Sequence, residues 1–401
     1  MGLYIHVPYC EAKCHYCDFN SYAGREREFR AMAAALVDDL ETAARGVGTA
    51  LPLPLGTVFI GGGTPSVLPG ADVARLIEVA RQRLGFAPDV EITSEANPGS
   101  LTADWLEKVM AAGLNRLSLG VQSLDDAELA RLGRVHTRAV ATEAVRIARR
   151  AGVGSVSIDL IFGLPEQTVE QWRHNLEAAL ELETDHISLY GLIVESGTAF
   201  GRRHAEGTLV VPDDDVQAEM YDIASARMRA CGYEQYEISN YARPGHRCRH
   251  NALYWRNEPY LGVGPGAVSY LDGWRHTRCR NPVEYVRRVR AGGSLTVEAE
   301  RVSQAACLTE TIMLGLRTRD GLDLAWLCAR FPDLLDRVRL DAAIDDLAGD
   351  LRQAGMLRVE DGRMFVDGDA LMVSNGVMER FLDLPALLTS RGGSATLRQV
   401  V

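Results

Sequence analysis

Three things are scarce in this sequence: basic charge, charge-free runs that could cross a membrane, and cysteine outside one short loop. Lys plus Arg total 43 against 54 Asp plus Glu, for a formal net charge of −11. A chain of that sign gains nothing from the phosphate field of nucleic acid or from anionic lipid. Nucleic-acid binding and a permanent membrane anchor are therefore not expected, and an anionic ligand must find a local basic pocket. The stretch Gly46 to Ala71 is charge-free for 26 residues, but 11 of them are Gly or Pro, too many for a membrane helix. It reads as loop, strand, loop. The chain does not open with a basic segment, an apolar run and a small-residue cleavage site, so a cytoplasmic setting is expected. Disulfides do not persist there. Of eight cysteines, Cys231, Cys248, Cys279, Cys307 and Cys328 are scattered without ligand spacing and read as small buried hydrophobes.

What is present is a 401-residue chain with 47% apolar and 24% charged residues, enough for a full-sized catalytic domain and a smaller appended one. Apolar or β-branched runs at Leu3–Val7, Val58–Ile60, Val90–Thr93, Arg116–Val121, Val156–Phe162 and His186–Leu192 alternate with segments of helical periodicity. That alternation predicts an α/β protein built on a partial (β/α)6 TIM-type barrel, with polar residues after each strand clustered at one mouth. The expected organisation is a barrel core over 1–230, a β-rich extension over 231–295, a small α+β C-terminal domain over 296–389 and a flexible tail over 390–401. Within the C-terminal part, Asp361 and Gly362 mark a hairpin turn between Met356–Val359 and Arg363–Val366.

Cys10, Cys14 and Cys17 crowd into the loop leaving the first strand. Three thiolates at this spacing suit three corners of a cubane iron–sulfur cluster, leaving the fourth iron without a protein ligand. The alternative is a zinc site completed by His6 or His15, since tetrahedral zinc wants four ligands. The run Cys10-Glu11-Ala12-Lys13-Cys14-His15-Tyr16-Cys17 resembles the signature of the radical S-adenosylmethionine (SAM) superfamily. The resemblance implies that SAM chelates the open iron, that an electron donor feeds the cluster, and that reductive cleavage gives a 5′-deoxyadenosyl radical.

Further residues fall where the porphyrin-related branch of this superfamily, resembling oxygen-independent coproporphyrinogen dehydrogenase, places its SAM contacts. These are Tyr4, Tyr16, Gly62, Gly63, Thr64, Glu95, Gln122, Arg134 and Asp159. Two departures count against the dehydrogenase itself: Phe19 stands where that enzyme has a further cysteine, and its N-terminal extension is missing. Instead, His250-Asn251-Ala252-Leu253-Tyr254-Trp255 is similar to the HNxxYW heme-binding signature of HemW-type heme chaperones. A neutral imidazole can ligate heme iron, and Tyr254 and Trp255 offer flat faces to a porphyrin. Arg243, Arg247, Arg249 and Arg256 are candidates for propionate pairing or for a solvated face. The resemblance implies a radical SAM heme chaperone, with a 4Fe–4S cluster, SAM and heme as ligands and heme-acceptor proteins as partners. The alternatives are coproporphyrinogen III decarboxylation to protoporphyrinogen and a radical SAM enzyme with an unrelated substrate.

Overall fold

The computed structural model describes residues 1–47, 54–367, 370–371 and 374–384. Its barrel strands are β1 (Gly2–Val7), β2 (Leu55–Gly62), β3 (Phe86–Ala96), β4 (Arg116–Gln122), β5 (Ser155–Phe162) and β6 (His186–Gly191). They pair in parallel in chain order, and the six apolar runs of the sequence fall on these six strands. The charge-free stretch contributes β2, and the first helix, Phe29–Val47, reaches into its start.

Helices cover the outside of the strands, and their ends follow capping chemistry. Thr102, Asp125, Thr137 and Thr168 each accept a backbone N–H from the first turn of the helix they precede, and Thr168 with Gln171 completes a capping box. Gly133 and Gly152 close two of these helices in left-handed conformation.

The segment expected as a β-rich extension is divided between both edges of the same sheet. The strands β7 (Glu234–Gln235) and β8 (Asn240–Ala242) continue antiparallel from β6, whereas β9 (Tyr260–Val263) pairs in parallel with β1. Strands β10 (Val268–Leu271), β11 (Trp274–Arg278) and β12 (Thr296–Arg301) follow beyond β9. The chain splits into two compact units, and most of 231–300 belongs with the barrel; residues 236–238, 252–258 and those from Arg301 onward form the second unit. In that unit Leu357–Glu360 and Arg363–Val366 form the expected antiparallel hairpin, beside the short strand Leu322–Asp323. Its own core is built around Leu308, Ile312, Leu340 and Phe381. The tail expected over 390–401 lies outside the described residues. Among the described residues no helix is long and apolar enough to cross a membrane.

The barrel's apolar residues face its helices. Leu3, Ile5, Val58, Ile60, Leu117, Leu119, Val156 and Ile158 all lie in one core cluster. The alternate positions are largely polar: Thr57, Glu91, Thr93, Glu95, Arg116, Ser118, Ser157, Asp159, His186 and Ser188. Because successive side chains on a strand point to opposite faces, these polar residues share the inner face. Most are buried, so the barrel encloses polar chemistry.

Candidate functional site

The cysteine loop is tied to the barrel at several points. Tyr9–Cys10 pairs with Tyr22–Ala23. The His15 N–H donates to Leu132 O at 3.0 Å, its Nδ1 donates to Arg131 O at 2.8 Å, and Phe200 N donates to His15 O at 2.9 Å. Beneath this loop lies a satellite core of Leu132, Ile161, Leu164, Leu192, Phe200 and Leu209, with Tyr16 packed on it. Lys13 gathers the end of the loop, donating to Phe19 O at 2.8 Å and Ser21 Oγ at 2.9 Å.

Each of the three sulfurs meets a donor. Thr64 Oγ1 lies 3.4 Å from Cys10 Sγ, Arg134 Nη1 lies 3.3 Å from Cys14 Sγ and Lys13 Nζ lies 3.8 Å from Cys17 Sγ. Burial pushes the Cys10 thiol up, with Cys17 and Cys14 adding to it and Thr64 and Ser21 opposing. Bound metal supplies the positive charge that such thiols need to ionise. The Tyr16 hydroxyl is likewise pushed up, first by burial and then by Cys14. Neither histidine suits the zinc alternative. His6 donates Nε2–H to Asn20 O at 2.9 Å and accepts the Tyr4 hydroxyl at Nδ1, also at 2.9 Å. His15 spends Nδ1 on Arg131, and its ring packs against Gly133 and Phe200. Three thiolates, with His6 engaged at both ring nitrogens and His15 at Nδ1, are a donor set whose chemistry suits a cluster with one open iron.

The strand ends place the remaining candidates around this loop. At the end of β2 all three glycines are required. A Cβ at Gly61 would lie 2.7 Å from Glu95 Oε2, one at Gly62 2.3 Å from His6 Nδ1, and one at Gly63 2.5 Å from Tyr9 O. The run is therefore explained by close approach within the chain, and the Gly62 N–H is already taken by Glu95 Oε2 at 2.9 Å. Tyr4, inward on β1, packs against Phe59 with ring centroids 6.2 Å apart.

At the end of β4 the pairing with β5 shifts between Leu119 and Gln122, and Gln122 has φ of 68°. A non-glycine residue held there at a bulge is a strained position of the kind concentrated at functional sites. Arg134 donates to Asn97 Oδ1 and to Gly120 O as well as to Cys14. Its Nε is buried without an acceptor, and it forms no ion pair among the described residues. A buried cation with no carboxylate partner is costly unless an anion arrives; thiolates or a ligand carboxylate at this position would supply it. Glu95 and Asp159 face each other across the lumen. Burial first, and the Asp159 charge second, push the Glu95 carboxyl up to about 7. Burial raises Asp159 too, opposed by Ser188, Arg116 and Ser118.

Asn97 and Lys13 were not among the candidate SAM or cluster residues. Asn97 follows Glu95 by two positions, which was the available signal; the reach of Lys13 back to residues 19 and 21 has none.

The structure does not bring His250 to this mouth. His250 packs on the N-terminal ends of the strands, whereas the cysteines follow the C-terminal end of β1. Its Nδ1 is 2.8 Å from Thr57 Oγ1 and its ring lies 5.2 Å from Phe59. A Cβ at Gly2 would come within 3.0 Å of the ring. The imidazole is 1% exposed, and burial together with the N-terminal amine lowers its pKa to about 3. It is neutral, as a ligand must be, but it is closed to a porphyrin in this conformation. Tyr254 and Trp255 are half-buried on the short helix Arg249–Trp255, and Trp255 Nε1 is buried without an acceptor. The neighbouring arginines have protein partners: Arg243 lies over Tyr233 at 4.9 Å, while Arg247 pairs with Glu234, Arg249 with Asp89 and Arg256 with Glu258.

Comparison with known proteins places these features in a family. Residues 4–179 match the radical SAM superfamily and 302–373 the HemN C-terminal domain. The chain is 37% identical to the heme chaperone HemW of Mycobacterium tuberculosis over 390 residues, covering 95% of this chain and 94% of that protein. It is 35% identical to heme chaperone HemW of Bacillus subtilis over 381 residues, covering 94% and 98%. The solved structure of coproporphyrinogen III oxidase HemN from Escherichia coli superposes with a TM-score of 0.82 at 23% identity, over 95% of this chain and 89% of that one, a likeness of fold. By these matches, which run through both compact units, the chain belongs to the HemW family of the radical SAM superfamily, whose members are built to hold a 4Fe–4S cluster and SAM.

Proposed function

We propose that this protein is a heme chaperone, which binds heme and passes it to acceptor proteins, with a 4Fe–4S cluster on Cys10, Cys14 and Cys17. The observation that carries this reading is the similarity to heme chaperones along nearly the whole chain, beyond the barrel that radical SAM proteins share. When bound, the cluster offers an open iron to the amino and carboxylate groups of SAM and accepts an electron from a donor protein. The chain's own residues steady the sulfurs through Thr64, Arg134 and Lys13. SAM would lie in the mouth among Tyr4, Tyr16, Gly62, Gly63, Thr64, Glu95, Gln122, Arg134 and Asp159. There Arg134 meets its carboxylate, and Glu95 and Asp159 accept from ribose hydroxyls.

This arrangement gives SAM binding a pH dependence. Glu95, with its pKa near 7, loses its charge as pH falls through that value, and a protonated carboxyl is the poorer acceptor. Titration of the cluster-loaded protein with SAM is expected to show affinity falling by up to about tenfold per pH unit below 7. Glu95→Gln should flatten that profile, and parallel profiles for the two proteins would remove Glu95 from the pocket.

Heme ligation is assigned to His250, flanked by Tyr254 and Trp255, in a conformation where the segment has left its seat against β2. In an anaerobic heme titration the wild type should bind saturably, with His250→Ala binding at least about tenfold more weakly and with an altered spectrum. Equal affinity and spectrum would remove His250 from the heme site. No saturable binding by the wild type with its cluster intact would instead favour a radical SAM enzyme with its own substrate. Anaerobic formation of protoporphyrinogen would identify that enzyme as a decarboxylase.

A further inference from the structure

The seat that hides His250 is built from inward residues that stand in register on three adjacent strands. Gly2, Thr57 and Glu91 stand side by side in the registers of β1, β2 and β3. Gly2 leaves the space that the imidazole fills, and Thr57 Oγ1 meets its Nδ1. Glu91, 8% exposed, clamps the backbone that carries it. Its Oε1 accepts the His250 N–H at 3.0 Å, its Oε2 accepts the Arg249 N–H at 2.9 Å, and the Cys248 thiol lies 3.7 Å from Oε1. Asp89, two residues earlier on β3, pairs with the Arg249 guanidinium at 3.1 Å. One buried carboxylate thus satisfies two consecutive amides at the start of the HNxxYW segment. Such charge-assisted bonds are the strong ones, and they exist only while the segment is docked.

We infer that Glu91 is the positioning residue of a latch: it holds Arg249 and His250 against the barrel floor, and heme reaches His250 only when that clamp releases. This rests on the heme reading above. If ligation requires the undocked state, the observed association rate scales with that state's population, and weakening the clamp raises both together.

The test uses the full-length, cluster-loaded protein, with Glu91→Gln as first variant and Thr57→Val as second, which frees the imidazole from the other side. Amide hydrogen exchange at Arg249 and His250 reads the latch, and stopped-flow binding of hemin reads access. Glu91→Gln is expected to accelerate exchange at these two amides about tenfold or more and to accelerate hemin association by a similar factor. Cluster absorbance should not change, and adding His250→Ala should abolish the gain. Thr57→Val should move both readouts in the same direction. Faster exchange with unchanged or slower hemin association would overturn the proposal and leave Glu91 a structural cap. Unchanged exchange in both variants would overturn it as well. If neither wild type nor variants bind hemin saturably, the heme reading falls and takes the gate with it. Binding at equal rates by all of them sinks the gate alone.

Discussion

Cys14→Ser is expected to yield a folded protein that holds no intact four-iron cluster after anaerobic reconstitution, read by iron and sulfide content and by the loss of cluster absorbance. The loop presents three thiolates and neither nearby histidine as a replacement, because His6 has both ring nitrogens engaged and His15 is tied to Arg131. Serine is a harder and far less acidic ligand than cysteine, so two thiolates would be left to hold a cluster that needs three. The substitution also removes the sulfur that faces Arg134 Nη1. The fold should survive, because the main core, from Leu3 and Ile5 through Val156 to Leu189, does not include the loop's cysteines. Cys231→Ser serves as the control and should retain full cluster content. A complete four-iron cluster in Cys14→Ser would refute the ligand assignment.

The second large effect concerns stability. Asp39, on the first helix, is 2% exposed and bonds Arg278 in a two-pronged pair at 2.8 and 2.9 Å. It also accepts the Tyr285 hydroxyl at 2.7 Å and the Gly264 N–H at 3.1 Å. One carboxylate therefore joins the helix Phe29–Val47, the turn after β9, the end of β11 and the helix Pro282–Arg290. Asp39→Ala strands a buried guanidinium and a buried phenol, and breaking a buried pair from one side typically costs about 3–5 kcal/mol. Denaturant unfolding followed in the barrel unit should show a loss of that order. Arg278→Met added to Asp39→Leu should recover much of it, since an apolar replacement of both partners leaves no orphaned charge. A loss below about 1 kcal/mol in Asp39→Ala would mean that water already solvates the group.

The sequence was most legible where local pattern and tertiary role coincide. The six apolar runs are six strands because β-branched residues suit a pleated surface packed under helices. The cysteine loop stood out because ligand spacing within eight residues is a local property. The SAM candidates at Gly62, Glu95, Gln122, Arg134 and Asp159 came from the resemblance to the porphyrin-related branch, in keeping with the rule that chemistry gathers toward the C-terminal mouth of barrel strands. That rule has no purchase on residues away from the C-terminal ends of the strands. Gly2, Thr57 and Glu91 carry no sign in the sequence that they form the floor on which His250 rests. The alternating polar positions inside the barrel, such as Thr93, Ser118 and Ser157, look in sequence like the solvent face of a half-buried sheet. Only the curling of the sheet into a partial barrel turns that face inward.

By itself the sequence determined the βα order, the three-cysteine loop, the HNxxYW segment and the family to which they point, because each is written in residues close together in the chain. The tertiary structure alone decided that Arg134 reaches Cys14 across 120 positions, that Asp39 and Arg278 pair across 239, and that His250 is sealed against Thr57 and Glu91 rather than open. Those contacts depend on which strands become neighbours and on the register between them. The hydrophobic pattern fixes which face of a strand is buried, but the distant partner it will meet there is set only when the strands assemble in register.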